Sequence, residues 1–146
     1  MVVSARLERL RISRSVPRRR RAVRRILRCD RRARRELGLR PAGIERRAAV
    51  RTPLHVPIYL YPAQVKGLTA QADLHAQPIL AVTRNISFDG IGWVHDAPIP
   101  LSRMIVEFDV GLGEPLLMLV EVLWTTQEGK FAFRSGGRIL GICRRV

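Results

Sequence analysis

The sequence predicts an all-β fold: a small six-stranded antiparallel β-barrel preceded by an Arg-rich N-terminal arm that is disordered or loosely helical. Three observations carry this. A chain of 146 residues with 47% hydrophobic content has material for one ordinary domain and a tail. Its formal net charge of +15 falls almost wholly before Thr52, and acids balance bases from there to Val146. Beyond Pro53, short apolar runs alternate with turn residues at the spacing of a small antiparallel barrel or sandwich. The division expected is an arm over residues 1–39 and a barrel domain over 45–142.

In the arm, "RLERLRISRSVPRRRRAVRRILRCDRRARRELGL" scatters a few apolar side chains among arginines. After Pro17, Val23, Ile26, Leu27 and Leu37 give a weak helical stripe, and Gly38 stands where it would end. Such a segment has too little apolar surface for a core of its own. It reads as a solvated basic tail, as an arm for nucleic acid or a membrane surface, or as translated upstream sequence. Lys66 and Lys130 are the only lysines. Arginine favours forked contacts to phosphate or guanine, although a GC-rich genome gives the same bias.

The strands follow in order: "LHVPIYLYP", "QPILAVTRNIS", "IGWVHD", "RMIVEFDV", "PLLMLVEVLWTT" and "GKFAFRSGGRILGI". Asp89-Gly90, flanked by Ile86 and Ile91, predicts a two-residue hairpin turn with both central residues at positive φ. Gly111 to Pro115 and Glu128-Gly129 mark two more turns. Trp93 and Trp124 fall within strand-like runs, where core or rim packing is the expected role.

Several function classes find no support. Cys29 and Cys143 lack C-x-x-C spacing, so neither a disulfide framework nor a zinc site is indicated, and a reducing cytoplasm is the expected location. His55, His75 and His95 are not at metal-ligand spacing, and no metal or cofactor is expected. The aspartates are dispersed, and no G-x-S-x-G elbow or phosphate-binding loop is present, so the chain is not expected to be an enzyme. No run has the length of a membrane span, and the first residues lack a secretory apolar core.

Two short motifs remain. In "RNISFDGIG", a strand running to Ser87 would put Asn85 and Ser87 on one face and Ile86 on the other, with Gly90 turning the chain beside them. Asn and Ser before a turn also commonly satisfy local backbone groups. In "ERRAAVRTP", Arg47 and Arg51 form an R-x-x-x-R pair where arm meets barrel, a spacing that lets two guanidinium forks reach one compact ligand. In so basic a region the match also arises from composition; its position is what makes it informative.

Taken together, Arg47-x-x-x-Arg51 at the barrel entry and Asn85-x-Ser87-x-x-Gly90 about thirty-five residues later resemble the bipartite signature of the PilZ domain. The resemblance spans Glu45 to Ile142, including "VEVLWTT" and "FAFRSGGRILGI"; Ile139 stands where the family often has an aromatic residue. It implies a six-stranded barrel that binds the bacterial second messenger cyclic di-GMP. By that resemblance Arg47 and Arg51 grip phosphates and the O6/N7 edge of guanine, Asn85 and Ser87 hydrogen-bond the ligand, and Gly90 permits close approach. Arg46, next to the pair, implies capture of an intercalated ligand dimer.

The function expected is that of a cyclic di-GMP receptor or adaptor, whose ligand rearranges arm against barrel to reach a protein effector that the sequence does not identify. Two alternatives stand beside it. One is a nucleic-acid-binding protein with the basic arm on phosphates, less favoured because aromatic content is only 5%. The other is a PilZ-like module that binds protein and no nucleotide.

Overall fold

The computed structural model describes residues 7–36, 51–109 and 113–146. Ten strands and one helix follow in the order β1 (Glu8–Ser13), α1 (Val16–Glu36), β2 (Thr52–Pro53), β3 (Pro57–Pro62), β4 (Gln64–Lys66), β5 (Thr69–Ala72), β6 (Ile79–Ile86), β7 (Gly90–His95), β8 (Arg103–Phe108), β9 (Leu116–Gly129) and β10 (Ala132–Arg145).

Six of the strands close a ring of antiparallel neighbours, β6-β3-β8-β9-β10-β7 and back to β6. These six are the runs read as strands in the sequence. Closure removes the free edges that an open sheet would present. Inward-facing Leu60, Ile86, Ile91, Trp93, Met104, Val106, Met118, Val120 and Ile139 fill the interior. Ile139 is 1% exposed, and its N–H donates to Asp89 O at 2.8 Å, tying β10 to the β6–β7 turn. An aliphatic residue therefore closes the barrel at this position.

Within the segment expected as a disordered or loosely helical arm, residues 7–36 form a strand and a regular helix. Strand β1 is inserted between β10 and β5, with Leu10 opposite Arg145 on one side and Ala70 on the other. "ERLRIS" alternates with period two, so Leu10 and Ile12 point to one face, where both are buried. They join Tyr61, Ala70, Ile105, Leu117 and Leu119 in a second core, formed where the β1–β5–β4 layer covers β3, β8 and β9. The unbroken apolar run "LLMLV" in β9 follows from this, because its alternate residues are buried on opposite faces.

Helix α1 is started by Ser15, whose Oγ accepts the N–H of Arg18 at 3.4 Å, the usual N-cap arrangement. Pro17 sits in the first turn, where its missing N–H leaves nothing unmade, so it opens the helix and does not break it. Ala22, Val23 and Ile26 form one buried stripe packed on the barrel core, with Leu27 beside it. A narrow stripe suffices because the barrel supplies the opposing surface. No helix among the described residues is long and apolar enough to cross a membrane.

The barrel interior also holds a polar chain. His95 Nδ1–H donates to Ala97 O, Ser135 donates to His95 Nε2 at 2.6 Å, and Thr125 donates to Ser135 Oγ at 2.9 Å. Burial holds the His95 imidazole below its ordinary pKa of 6.5. The folded chain thus keeps His95 neutral where the unfolded chain would protonate it. His95 should contribute its stability fully above about pH 6.5 and lose it as pH falls below that. Urea unfolding at pH 7.5 and pH 5 checks this: the wild type should lose more stability over that interval than His95→Gln.

Candidate functional site

The two-strand pairing of β2 with β6, Thr52 opposite Ile86 and Pro53 opposite Asn85, brings the start of the barrel domain alongside the end of β6. Arg51 is thereby set beside Asn85, and its Nη1 donates to Asn85 Oδ1 at 3.0 Å. In β6 a bulge at Arg84 shifts the alternation, so that Thr83 and Ile86 both point inward and Asn85 is left on the outer face.

The β6–β7 turn differs from the two-residue form expected. Strand β7 begins at Gly90, the loop is Ser87-Phe88-Asp89, and neither Asp89 nor Gly90 has positive φ. The Ser87 side chain is what closes it. Ser87 N–H donates to Gly90 O at 2.8 Å, Gly90 N–H donates to Ser87 Oγ at 3.0 Å, and the Ser87 hydroxyl donates to Asp89 Oδ1 at 2.8 Å. With Asp89 O held by Ile139, the chain leaves the turn already extended.

Gly90 serves the site by lacking a side chain. A Cβ there would lie 3.2 Å from Arg51 Nη2 and 3.5 Å from Ser87 Oγ; at Gly92 it would lie 2.9 Å from Asn85 Oδ1 and 3.3 Å from Arg51 Nη1. The Arg51 guanidinium therefore rests on a floor of two glycines. The register extends that floor: Asn85, Gly92, Gly136 and Trp124 face one another in a row across β6, β7, β10 and β9. Trp124 lies over Gly136, where a Cβ would be 2.4 Å from its Nε1, and is 41% exposed. In the neighbouring row Gly90 faces Arg138, which pairs with Glu121 at 3.4 Å.

Four of the six residues expected in the site, Arg51, Asn85, Ser87 and Gly90, are thus brought together on one outer face of the barrel. Arg46 and Arg47 lie outside the described residues. The chemistry that Asn85 and Ser87 offer is narrower than the sequence implies. Asn85 Oδ1 is engaged by Arg51, so what Asn85 presents outward is its Nδ2 amide donor pair. Ser87 is buried and occupied with the turn.

Sequence reasoning missed Gly92, Trp124 and Arg138 as members of this surface. Gly92 is set opposite Asn85 by the Ile86–Ile91 pairing that closes the hairpin, a register the Asp89-Gly90 dipeptide does not announce. It also did not place the helix against the β6–β7 turn: Arg20 and Arg24 of α1 each set a guanidinium 5.5 Å from the Phe88 ring centroid, within cation–π distance. No cluster of His, Cys, Asp and Glu suited to a metal occurs among the described residues. No family model matches this chain, and no curated protein or solved structure matches it.

Proposed function

We propose that the chain is a cyclic di-GMP receptor of PilZ type. The observation that carries the proposal is the Arg51–Asn85 hydrogen bond at 3.0 Å over the glycine floor of a closed six-stranded barrel. This is where the bipartite motif would need to converge, although its two halves stand 34 residues apart in the chain. Arg51 is exposed and has guanidinium donors beyond the one given to Asn85, directed at phosphate or a guanine edge. A floor without side chains at Gly90 and Gly92 leaves room for a planar base, and the part-exposed Trp124 at its far side offers a stacking surface.

Residues 37–51 join α1 to β2 and contain Arg46, Arg47 and Arg51. A ligand held by Arg47 and Arg51 would draw on that connection. Helix α1, seated on the barrel by Val23 and Ile26 and touching Phe88 through Arg20 and Arg24, is the element positioned to respond. The unidentified protein effector would read its position.

Selectivity tests the reading: cyclic di-GMP should bind in preference to cyclic di-AMP and GTP. Arg46 sets the stoichiometry, since a third guanidinium can stack on an exposed guanine and offset the charge of a second ligand. Calorimetric titration of protein of known active fraction should give two ligands per chain, falling toward one with weaker affinity in Arg46→Leu. A wild-type stoichiometry of one, unchanged in Arg46→Leu, would leave Arg46 without a role.

A further inference from the structure

Helix α1 turns a second arginine face away from Phe88. Arg18, Arg21, Arg25 and Arg28 form one wall of a groove whose other wall is the end of β10, with Arg144 and Arg145. Past Arg18 the groove continues into a concavity bordered by Arg11 and Arg14. Arg11 and Arg144 stand directly opposite each other across β1 and β10, an arrangement of like charges that costs stability. Acidic compensation is sparse: Glu114 borders the groove, and Glu8 pairs with Arg145 at 3.4 Å. Repulsion of this kind is relieved by a bound polyanion.

We propose that this groove binds the phosphodiester backbone of a nucleic-acid strand. From Arg18 to Arg28 the helix rises about 15 Å, enough to follow several successive phosphates. Guanidinium forks match phosphate oxygens in pairs. The geometry disfavours a membrane surface. Between Arg18 and Arg32 every exposed residue of α1 is arginine, and the apolar stripe that would enter a bilayer is buried in the barrel core. Among the described residues no aromatic side chain borders the groove, so binding there rests on phosphate contacts and depends steeply on salt.

Fluorescence anisotropy of the full chain with a labelled 20-nucleotide mixed-sequence oligonucleotide tests this, alongside sedimentation with phosphatidylcholine vesicles containing phosphatidylserine. With four to six phosphates neutralised, affinity should fall roughly 50- to 300-fold between 50 and 200 mM salt. Arg21→Glu/Arg25→Glu should weaken binding at least tenfold, while Lys130→Glu/Arg134→Glu, an equal charge change on the β9–β10 hairpin, stays within about threefold. Arg144→Gln probes the opposite wall without altering the helix and should weaken binding severalfold. Equal weakening by both double variants, oligonucleotide binding that Arg144→Gln and Arg21→Glu/Arg25→Glu leave intact, or binding to vesicles without binding to the oligonucleotide would overturn the proposal.

Discussion

Arg51→Ala is expected to weaken cyclic di-GMP binding by about 1.5 to 3 kcal/mol for each charge-assisted hydrogen bond removed, roughly ten- to a hundredfold for a single bond. The effect has two sources. The guanidinium itself no longer meets the ligand, and Asn85, whose Oδ1 it engages at 3.0 Å, is no longer held in place. Because Arg51 is exposed and lies on the outer face, the unfolding midpoint should be nearly unchanged. Ser87→Ala should cost less, about 0.5 to 1.5 kcal/mol in binding, and should act through the turn. Its hydroxyl accepts from Gly90 and donates to Asp89, so removing it loosens the backbone that forms the glycine floor. Isothermal titration of the two variants, with urea unfolding of each, separates these effects.

The largest effect on stability is expected in the segment that the sequence marks as an arm. Leu10 is fully buried in the second core, and Leu10→Ala should destabilise the fold by about 2 to 5 kcal/mol. Against a total of about 5 to 15 kcal/mol for a domain, that is a large fraction. Removing the residues before Leu39 should do more, because β5 loses the strand that joins it to β10 and the barrel core loses Val23 and Ile26. A solvated tail, by contrast, would contribute nothing to the sheet or the core. Urea unfolding decides between them: an unchanged midpoint in Leu10→Ala would mean that β1 is not part of the sheet in solution.

The contrast between these two regions shows what the sequence exposes. The six ring strands are legible because each buries a face in a common interior, and that burial writes period-two or continuous apolar runs such as "ILAVT" and "LLMLV". Strand β1 carries the same signal in Leu10 and Ile12, but its outward positions are arginines continuous with those of α1, and charge density conceals the alternation. The helix stripe is equally narrow, since only Ala22, Val23 and Ile26 need to meet the barrel, with Leu27 at its margin. Strands β4 and β5 are short and lie on the outer layer, so few of their positions are constrained to be apolar.

At the site, Arg51, Asn85, Ser87 and Gly90 were legible as a motif, whereas their physical roles were not. That Ser87 builds the turn, that Gly90 is extended and serves by making room, and that Gly92 shares this duty all depend on register. Register here follows from the length of the β6–β7 loop and the bulge at Arg84, two features that a dipeptide such as Asp89-Gly90 does not encode.

The central claim is that the Arg51, Asn85 and Gly90 face receives cyclic di-GMP. Isothermal titration of cyclic di-GMP into the full-length wild-type chain, run beside Arg51→Ala and with cyclic di-AMP as the competing dinucleotide, tests it most directly. The account predicts saturable binding of cyclic di-GMP by the wild type, at least tenfold weaker binding in Arg51→Ala, and little heat from cyclic di-AMP. A folded wild-type protein that gives no binding isotherm, or an affinity that Arg51→Ala leaves unchanged, would contradict it.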